Sequence, residues 1–372
     1  MKILLLSCST GGGHNAAARA LEEEFAARGC EVEFSDPFNW ITSKTAAVVG
    51  NTYVRLVQRM PGLFGAVYGL GSLVDRLPGR SPVYWANKWA SNYLRDYLER
   101  ERPDAVVMTH LYPAEMITKL KQDGFPVPLS VYISTDYTCI PFVSETDCDY
   151  YVLPHEDLKA ACLKRGMKIE RLLPLGIPVG KKFLTPVPKE EARKMLSLPP
   201  EGRCMLLVGG SMGAGPLSQL TAGLAHFLQK QDRLIVVCGS NGPLYDKMKK
   251  QWGTHEKIRV LRWTDQMPEY FAACDVLYTK PGGLTSTEAA AAGLPMVHMN
   301  PIPGCETKNR RFFTLRGLSV SHRTISGQIH LGMRLLEDES FRERMRLRQR
   351  AILPHDAAGH ICDFVTEEIR DE

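Results

Sequence analysis

No stretch of this chain reaches the roughly 18 to 20 apolar residues that a membrane-crossing helix needs, so any contact with a bilayer is expected to be superficial. The ten cysteines include no CxxC pair, and several sit singly in apolar, strand-like runs, which predicts reduced, buried thiols rather than a disulfide framework. Low-complexity tracts are missing. With 44% apolar and 23% charged residues, the composition is that of a folded protein, not a disordered or fibrous one. Net charge is only +5, too little by itself to argue for nucleic acid. The opening, Met1-Lys2 and an apolar run over 3–6, leads into a glycine-rich turn without a small-residue cleavage site, so a buried first strand is expected and not a secretory signal.

What is there is a chain of 372 residues, longer than one hydrophobic core usually organises, and length alone favours two domains. The apolar run 2–8, helical spacing over 16–28 with Leu21 and Phe25, and a short strand at 31–34 make a βαβ opening. Further β-rich runs at 105–109, 129–134 and 150–153 are bounded by Pro, Asp or Gly, with helical patterns between them, so the first half reads as a parallel sheet. The Pro- and Lys-rich segment 174–189 lacks periodicity and is the natural linker, dividing the chain into domains 1–178 and 179–372, with the last helix a candidate to pack back on the first domain. Beyond it, strands are expected at 204–208, 234–238, 258–261, 276–279 and 295–299, again alternating with helices. The predicted fold class is therefore α/β, two Rossmann-like, doubly wound domains. Ligands of such sheets bind outside the carboxyl ends of the strands, so the two domains are expected to face one cleft and to carry function on post-strand loops.

Three loops fit. The first is Ser9-Thr10-Gly11-Gly12-Gly13-His14-Asn15, where consecutive glycines let backbone approach a ligand, the next helix offers free N–H groups to an anion, and His14 stands where an imidazole could take a proton. A plain strand-to-helix turn capped by His14 or Asn15 is the alternative. The second, Gly209-Gly210-Ser211-Met212-Gly213-Ala214-Gly215-Pro216, repeats this chemistry in the second half. It lacks the Lys-Ser/Thr pair of a Walker loop and is not a proper GxGxxG, but a diphosphate is its natural ligand. The third runs from Lys280-Pro281-Gly282-Gly283-Leu284-Thr285 through Glu288 to the block 300–309. Glu288 lies one helical turn inside its helix, where a carboxylate can hold two ribose hydroxyls or merely offset the helix dipole.

Together these segments resemble the family 28 type of GT-B glycosyltransferases, and within it the monogalactosyldiacylglycerol synthase and processive diacylglycerol glucosyltransferase branch. Residues 9–15 are similar to that branch's opening motif and 132–138 to its central Thr-Asp segment. Residues 263–267 and 281–309 resemble its nucleotide-binding block. The resemblance implies an inverting enzyme that moves a hexose from UDP-glucose or UDP-galactose to diacylglycerol or a related lipid. It implies that Gly12 and Gly13 are binding residues of the first turn, that Gly210, Ser211, Met212 and Gly213 hold the diphosphate together with Gly282, Gly283, Leu284 and Thr285, and that Glu288 holds the ribose. Trp263, Thr264 and Met267 would line the uracil pocket, and Glu306 and Asn309 would face the sugar hydroxyls. Cys305 stands before Glu306 where the branch usually shows a glutamine. Glucose and galactose differ at one hydroxyl, and both donors stay open.

Inverting transfer needs a base for the acceptor hydroxyl and stabilisation of the leaving diphosphate. His14 and Asp136 are the two candidate bases, with His110 a third that has an ordinary core-histidine alternative. Asp147-Cys148-Asp149 is formally a DxD pattern, but it precedes a first-domain strand far from the donor block, so no metal and no other cofactor is expected. Between 41 and 95, Lys44, Arg55, Arg59, Arg76, Arg80, Lys88 and Arg95 oppose a single acid, Asp75, and are interleaved with Tyr53, Phe64, Tyr68, Tyr84, Trp85 and Trp89, Trp40 lying just before. Such a segment suits the headgroup boundary of an anionic bilayer, or else a helical pair covering the sheet. The expected partners are thus a UDP-sugar, a lipid acceptor and an anionic membrane surface on the cytoplasmic inner face, with no nucleic acid. A lipid II type N-acetylglucosaminyl transferase, a UDP-sugar 2-epimerase and a non-catalytic UDP-sugar sensor would share the donor block.

Overall fold

Strands buried on both faces are continuous apolar runs, and the even and odd residues of each run feed different cores. In the first strand, β1 (Lys2–Leu6), Leu4 and Leu6 pack with Val106 and Met108 on one side of the sheet, while Ile3 and Leu5 pack with Ala105 and Val107 on the other. The computed structural model describes residues 1–8, 11–40, 69–71, 75, 79–87 and 90–371. Ser9 and Thr10 of the first turn, and most of the basic and aromatic segment expected at a membrane, lie outside the described residues.

The chain divides into two units. One comprises Met1–Gly180, Pro303–Cys305 and Asp356–Glu372, and the other Lys181–Ile302 and Glu306–His355. The first holds β1, β2 (Glu31–Ser35), β3 (Ala105–Met108), β4 (Leu129–Ile133), β5 (Tyr150–Val152) and β6 (Leu172–Leu173), ordered β2-β1-β3-β4-β5-β6, every pairing parallel. The second holds β7 (Cys204–Val208), β8 (Arg233–Val237), β9 (Ile258–Leu261), β10 (Val276–Thr279), β11 (Met296–His298) and β12 (Val320–Ser321), ordered β12-β11-β10-β7-β8-β9, again parallel. Each is a doubly wound α/β sheet. In each, the strand order reverses beside the first strand, between β1 and β3 in one unit and between β7 and β10 in the other, which is where such sheets bind ligands.

Helix Gly12–Ala27 starts four residues before the periodic pattern, because apolar spacing marks only the positions that face the sheet, and its first turn is glycine. The strands β6 and β12, two residues each, are too short to show any alternation. Helix Ala357–Asp371 belongs to the first unit. Its Ile361, Cys362 and Val365 are buried with Leu21 and Phe25, and Tyr150 Oη donates to Glu368 Oε2 at 2.7 Å.

The described part of the expected membrane segment corrects one element of that expectation. Tyr84 does not face outward: it is buried, its hydroxyl donates to Gln122 Oε1, and the Arg80 guanidinium lies over its ring. Trp40 is spent in a stack on Tyr97, ring centroids 4.5 Å apart. Trp85 alone of these three is exposed, at 57%. Among the described residues no helix is long and apolar enough to cross a membrane.

Candidate active site

In the first unit the loops after β1, β3 and β4 converge at the point where strand order reverses. His14 Nδ1 lies 2.7 Å from the main-chain oxygen of Thr109, just past β3, and 2.9 Å from Thr135 Oγ1, just past β4. Thr109 Oγ1 returns a bond to the His14 carbonyl at 3.0 Å. A carbonyl oxygen only accepts, so Nδ1 carries the proton and donates it, and the lone pair of the neutral ring is on Nε2. Burial lowers the His14 pKa below its ordinary value, and the Asp136 carboxylate and the Thr109 carbonyl partly offset this. His14 is thus a neutral imidazole near pH 7, with its tautomer fixed and a carboxylate near enough to stabilise the imidazolium. The two candidate bases belong to one electrostatic group.

His110 is different. Tyr112 N–H donates to its Nδ1 at 3.2 Å, so the imidazole caps helix Leu111–Gln122 and keeps its lone pair on the opposite nitrogen from His14. Its ring meets that of His14 edge-on, centroids 4.6 Å apart. Burial and the neighbouring His14 hold its pKa well below the ordinary value. Asn15 also has structural work, since Ser7 Oγ donates to its Oδ1 at 2.7 Å. Asp147 and Asp149 are engaged by Arg171 at 2.7 Å and Lys121 at 2.6 Å, and among the described residues no cluster of three His, Cys, Asp or Glu could hold a metal ion.

In the second unit the turn after β7 and the turn after β10 are neighbours, because Thr279 and Val208 are register partners in adjacent strands. Gly210 and Gly213 both adopt left-handed conformations, φ 69° and 59°. A β-carbon at Gly213 would fall 1.9 Å from the Cys238 carbonyl oxygen, so only glycine lets this turn close against the loop after β8. Asn241 Nδ2 donates to the Gly213 oxygen at 3.1 Å, and Ser240 N–H to the Ser211 oxygen at 2.8 Å. The turn that bears Gly210, Ser211 and Met212 is therefore braced from behind.

Helix Gly283–Ala291 begins at Gly282 with no side-chain cap, an arrangement in which the first-turn N–H groups, on Gly283, Leu284 and Thr285, can serve an anion. Glu288 follows one turn later, and burial pushes its carboxyl up to about 7. Buried Asn309 donates to the Pro281 oxygen at 3.1 Å, pinning the Pro-Gly-Gly turn. Glu306 accepts from Lys280 Nζ at 2.6 Å and from Ile302 N–H at 2.8 Å. From behind, buried His298 sits between Ser286 Oγ and Ser319 Oγ, each 3.0 Å away. Trp263 and Thr264 lie on the loop after β9, with Trp263 69% exposed, and Met267 opens the helix Met267–Ala273 that leads on to β10.

The sequence alone names His14, Asp136, Glu288 and both glycine turns as candidates. The sequence does not announce Thr109 and Thr135 as partners of His14, or the Lys280–Glu306 pair. The Thr109 contact is a main-chain oxygen, which no residue type announces.

The monogalactosyldiacylglycerol (MGDG) synthase family model matches residues 14–179, and the glycosyltransferase family 28 C-terminal domain matches residues 204–303. A processive diacylglycerol beta-glucosyltransferase of Bacillus cytotoxicus is 28% identical over 377 residues, spanning 99% of this chain and 94% of that relative. Among solved structures, Acinetobacter baumannii MurG superposes with a TM-score of 0.62 at 16% identity, over 98% of this chain and 99% of its own. The calicheamicin glycosyltransferase CalG4 does so with a TM-score of 0.65 at 14% identity, over 98% and 97%. At those identities the two structures speak for the fold. Two Rossmann-like units in this order, with these domain matches, define a glycosyltransferase of the GT-B fold. Along nearly its whole length the chain is similar to family 28 glycosyltransferases of the monogalactosyldiacylglycerol synthase and processive diacylglycerol glucosyltransferase branch.

Proposed function

We propose that this enzyme transfers a hexose from a UDP-sugar to diacylglycerol, with inversion and without a metal, to make a membrane glycolipid on the inner face of the cell membrane. The observation that carries the substrate class is the likeness to a diacylglycerol glucosyltransferase along 99% of the chain. Glucose is the sugar that the relative's name supports, which makes UDP-glucose the donor in this reading. In this reading the second unit holds the donor. Glu288 takes the ribose hydroxyls, Trp263, Thr264 and Met267 take the uracil, and the turns at 210–213 and 282–285 take the diphosphate through main-chain N–H groups.

The first unit supplies the base. His14 Nε2 accepts the proton of the lipid hydroxyl as its oxygen bonds to the anomeric carbon. The bond from that carbon to the diphosphate breaks, and UDP leaves with the electron pair. Asp136 stabilises the imidazolium that results. Gly12 and Gly13 shape the turn that presents His14.

The test is incubation of the purified protein with radiolabelled UDP-glucose and, separately, UDP-galactose, with diacylglycerol in anionic vesicles, with and without chelator. Labelled lipid from one donor, insensitive to chelator and lost in Glu288→Ala, supports the reading and names the sugar. Binding of UDP-sugar with no lipid product from either donor sinks the diacylglycerol assignment.

A further inference from the structure

Lys280 is the first residue after β10, and it leaves the sheet beside the turn that follows β7. Its aliphatic stem lies across Gly210, where an added β-carbon would stand 2.4 Å from Lys280 Cε. A side chain at Gly210 would push that stem aside, and the φ of 69° there favours glycine as well. The ammonium group is held 2.6 Å from Glu306 Oε1, with the two side chains only 13% and 12% exposed. Glu306 is itself fixed, since its other oxygen accepts Ile302 N–H at 2.8 Å.

A pair this well buried must offset a desolvation cost that a surface pair escapes, and two apolar side chains would do the same packing as well or better. Its place in the fold is more telling than its stability. The cation stands between the two glycine-containing turns whose N–H groups meet a diphosphate in the reading above, at the point where strand order reverses. Neutral N–H donors spread and polarise the charge of a leaving diphosphate, and only a cation cancels part of it.

We propose that Lys280 is the residue that neutralises the donor's diphosphate as UDP leaves, and that Glu306 is a positioning residue that holds the ammonium over Gly210. This rests on the donor-site reading of the second unit. It gives Glu306 a duty other than the sugar contact expected of it, and it assigns to a side chain the charge that a divalent cation supplies in other enzymes. Lys280 offers three donors, so one can stay on Glu306 while the others reach phosphate oxygens.

The experiment is binding of UDP, by calorimetry, and of uridine, by ligand-observed NMR, to the full chain in the presence of chelator. Lys280→Met keeps the length of the stem and removes the charge. It is expected to weaken UDP by about 10- to 100-fold, the size of a lost charge-assisted bond, and to leave uridine unchanged. Lys280→Arg is expected to retain most of the UDP affinity. Glu306→Gln should weaken UDP by a smaller factor, and should have no further effect in the Lys280→Met background, because it acts only through the lysine. UDP binding by Lys280→Met equal to that of the parent overturns the proposal, as does an equal loss of UDP and uridine. If the parent binds neither ligand, the donor-site reading falls first and takes this proposal with it.

Discussion

His14 Nδ1 and the Thr109 carbonyl oxygen are 2.7 Å apart, and that contact decides which nitrogen of the imidazole can act as a base. Removing the ring in His14→Ala should lower kcat by roughly 10²- to 10⁴-fold with little change in donor binding. Burial holds the His14 pKa below 6.5, so the neutral, basic form is lost only at pH values below that, and the acid limb of kcat/KM should lie there. Asp136 raises that pKa, so Asp136→Asn should move the limb to lower pH. A limb that stays in place would separate Asp136 from His14. Steady-state rates across pH, on the parent and both variants, make the comparison.

Glu288 should impose a second pH dependence, this one on the donor. A carboxylate accepts two ribose hydroxyl bonds and a carboxylic acid does so less well, and burial pushes this group up to about 7. UDP affinity is therefore expected to fall as pH drops through 7, by up to about tenfold per pH unit, and Glu288→Gln should flatten the dependence at a lower overall affinity. The same shift has the opposite sign for stability. The folded state keeps the proton between pH 4.5 and about 7, so stability is lost as pH rises through that window, and Glu288→Gln should melt higher than the parent at pH 8.

Two glycines of the proposed donor turns should differ in how alanine affects stability. Gly213 has a left-handed backbone, and its β-carbon would collide with Cys238, so Gly213→Ala should cost roughly 1–3 kcal/mol or more of stability and lose donor binding. Gly282 has φ −71° and open space where a β-carbon would go. Gly282→Ala should melt like the parent, and a raised donor KM in that folded variant would report close approach of the donor to the turn. Thermal melts paired with donor kinetics read both.

Buried His298 should make the protein sensitive to acid. Burial, and to a lesser extent Arg310, lower its pKa to about 3. Below about 6.5 the unfolded chain binds a proton that the folded chain refuses, so stability should rise with pH between about 3 and 6.5. His298→Gln should cost about 1–3 kcal/mol at neutral pH through its two serine partners, and should show a shallower loss between pH 7.5 and 5. Melting temperatures at the two pH values test it.

Most of the fold was legible because strands buried on both faces cannot hide: β1, β7 and β10 are uninterrupted apolar runs between turn residues. The loops after them were legible for the same reason, since doubly wound sheets bind at their carboxyl ends. What escaped notice has no local signature. Glu115 reads as the polar face of a helix, yet it is fully buried, and burial together with the nearby Glu145 pushes its carboxyl up to about 9. Lys280 reads as the edge of a Pro-Gly turn, and its value comes from Gly210 and Glu306, which are distant in sequence. Tyr84 reads as an interfacial aromatic and is instead core, because Gln122 offers its hydroxyl a partner inside.

The first unit is finished by residues that follow the whole of the second. Ala357, Ala358, Ile361, Cys362 and Val365 complete the apolar layer over Leu21 and Phe25. On the ribosome, therefore, the second unit has all its strands before the first can close, and an oily helix face made at the start must wait unshielded for residues 357–371. Damage late in the gene should thus be felt as misfolding of the half translated earliest, the half that carries His14.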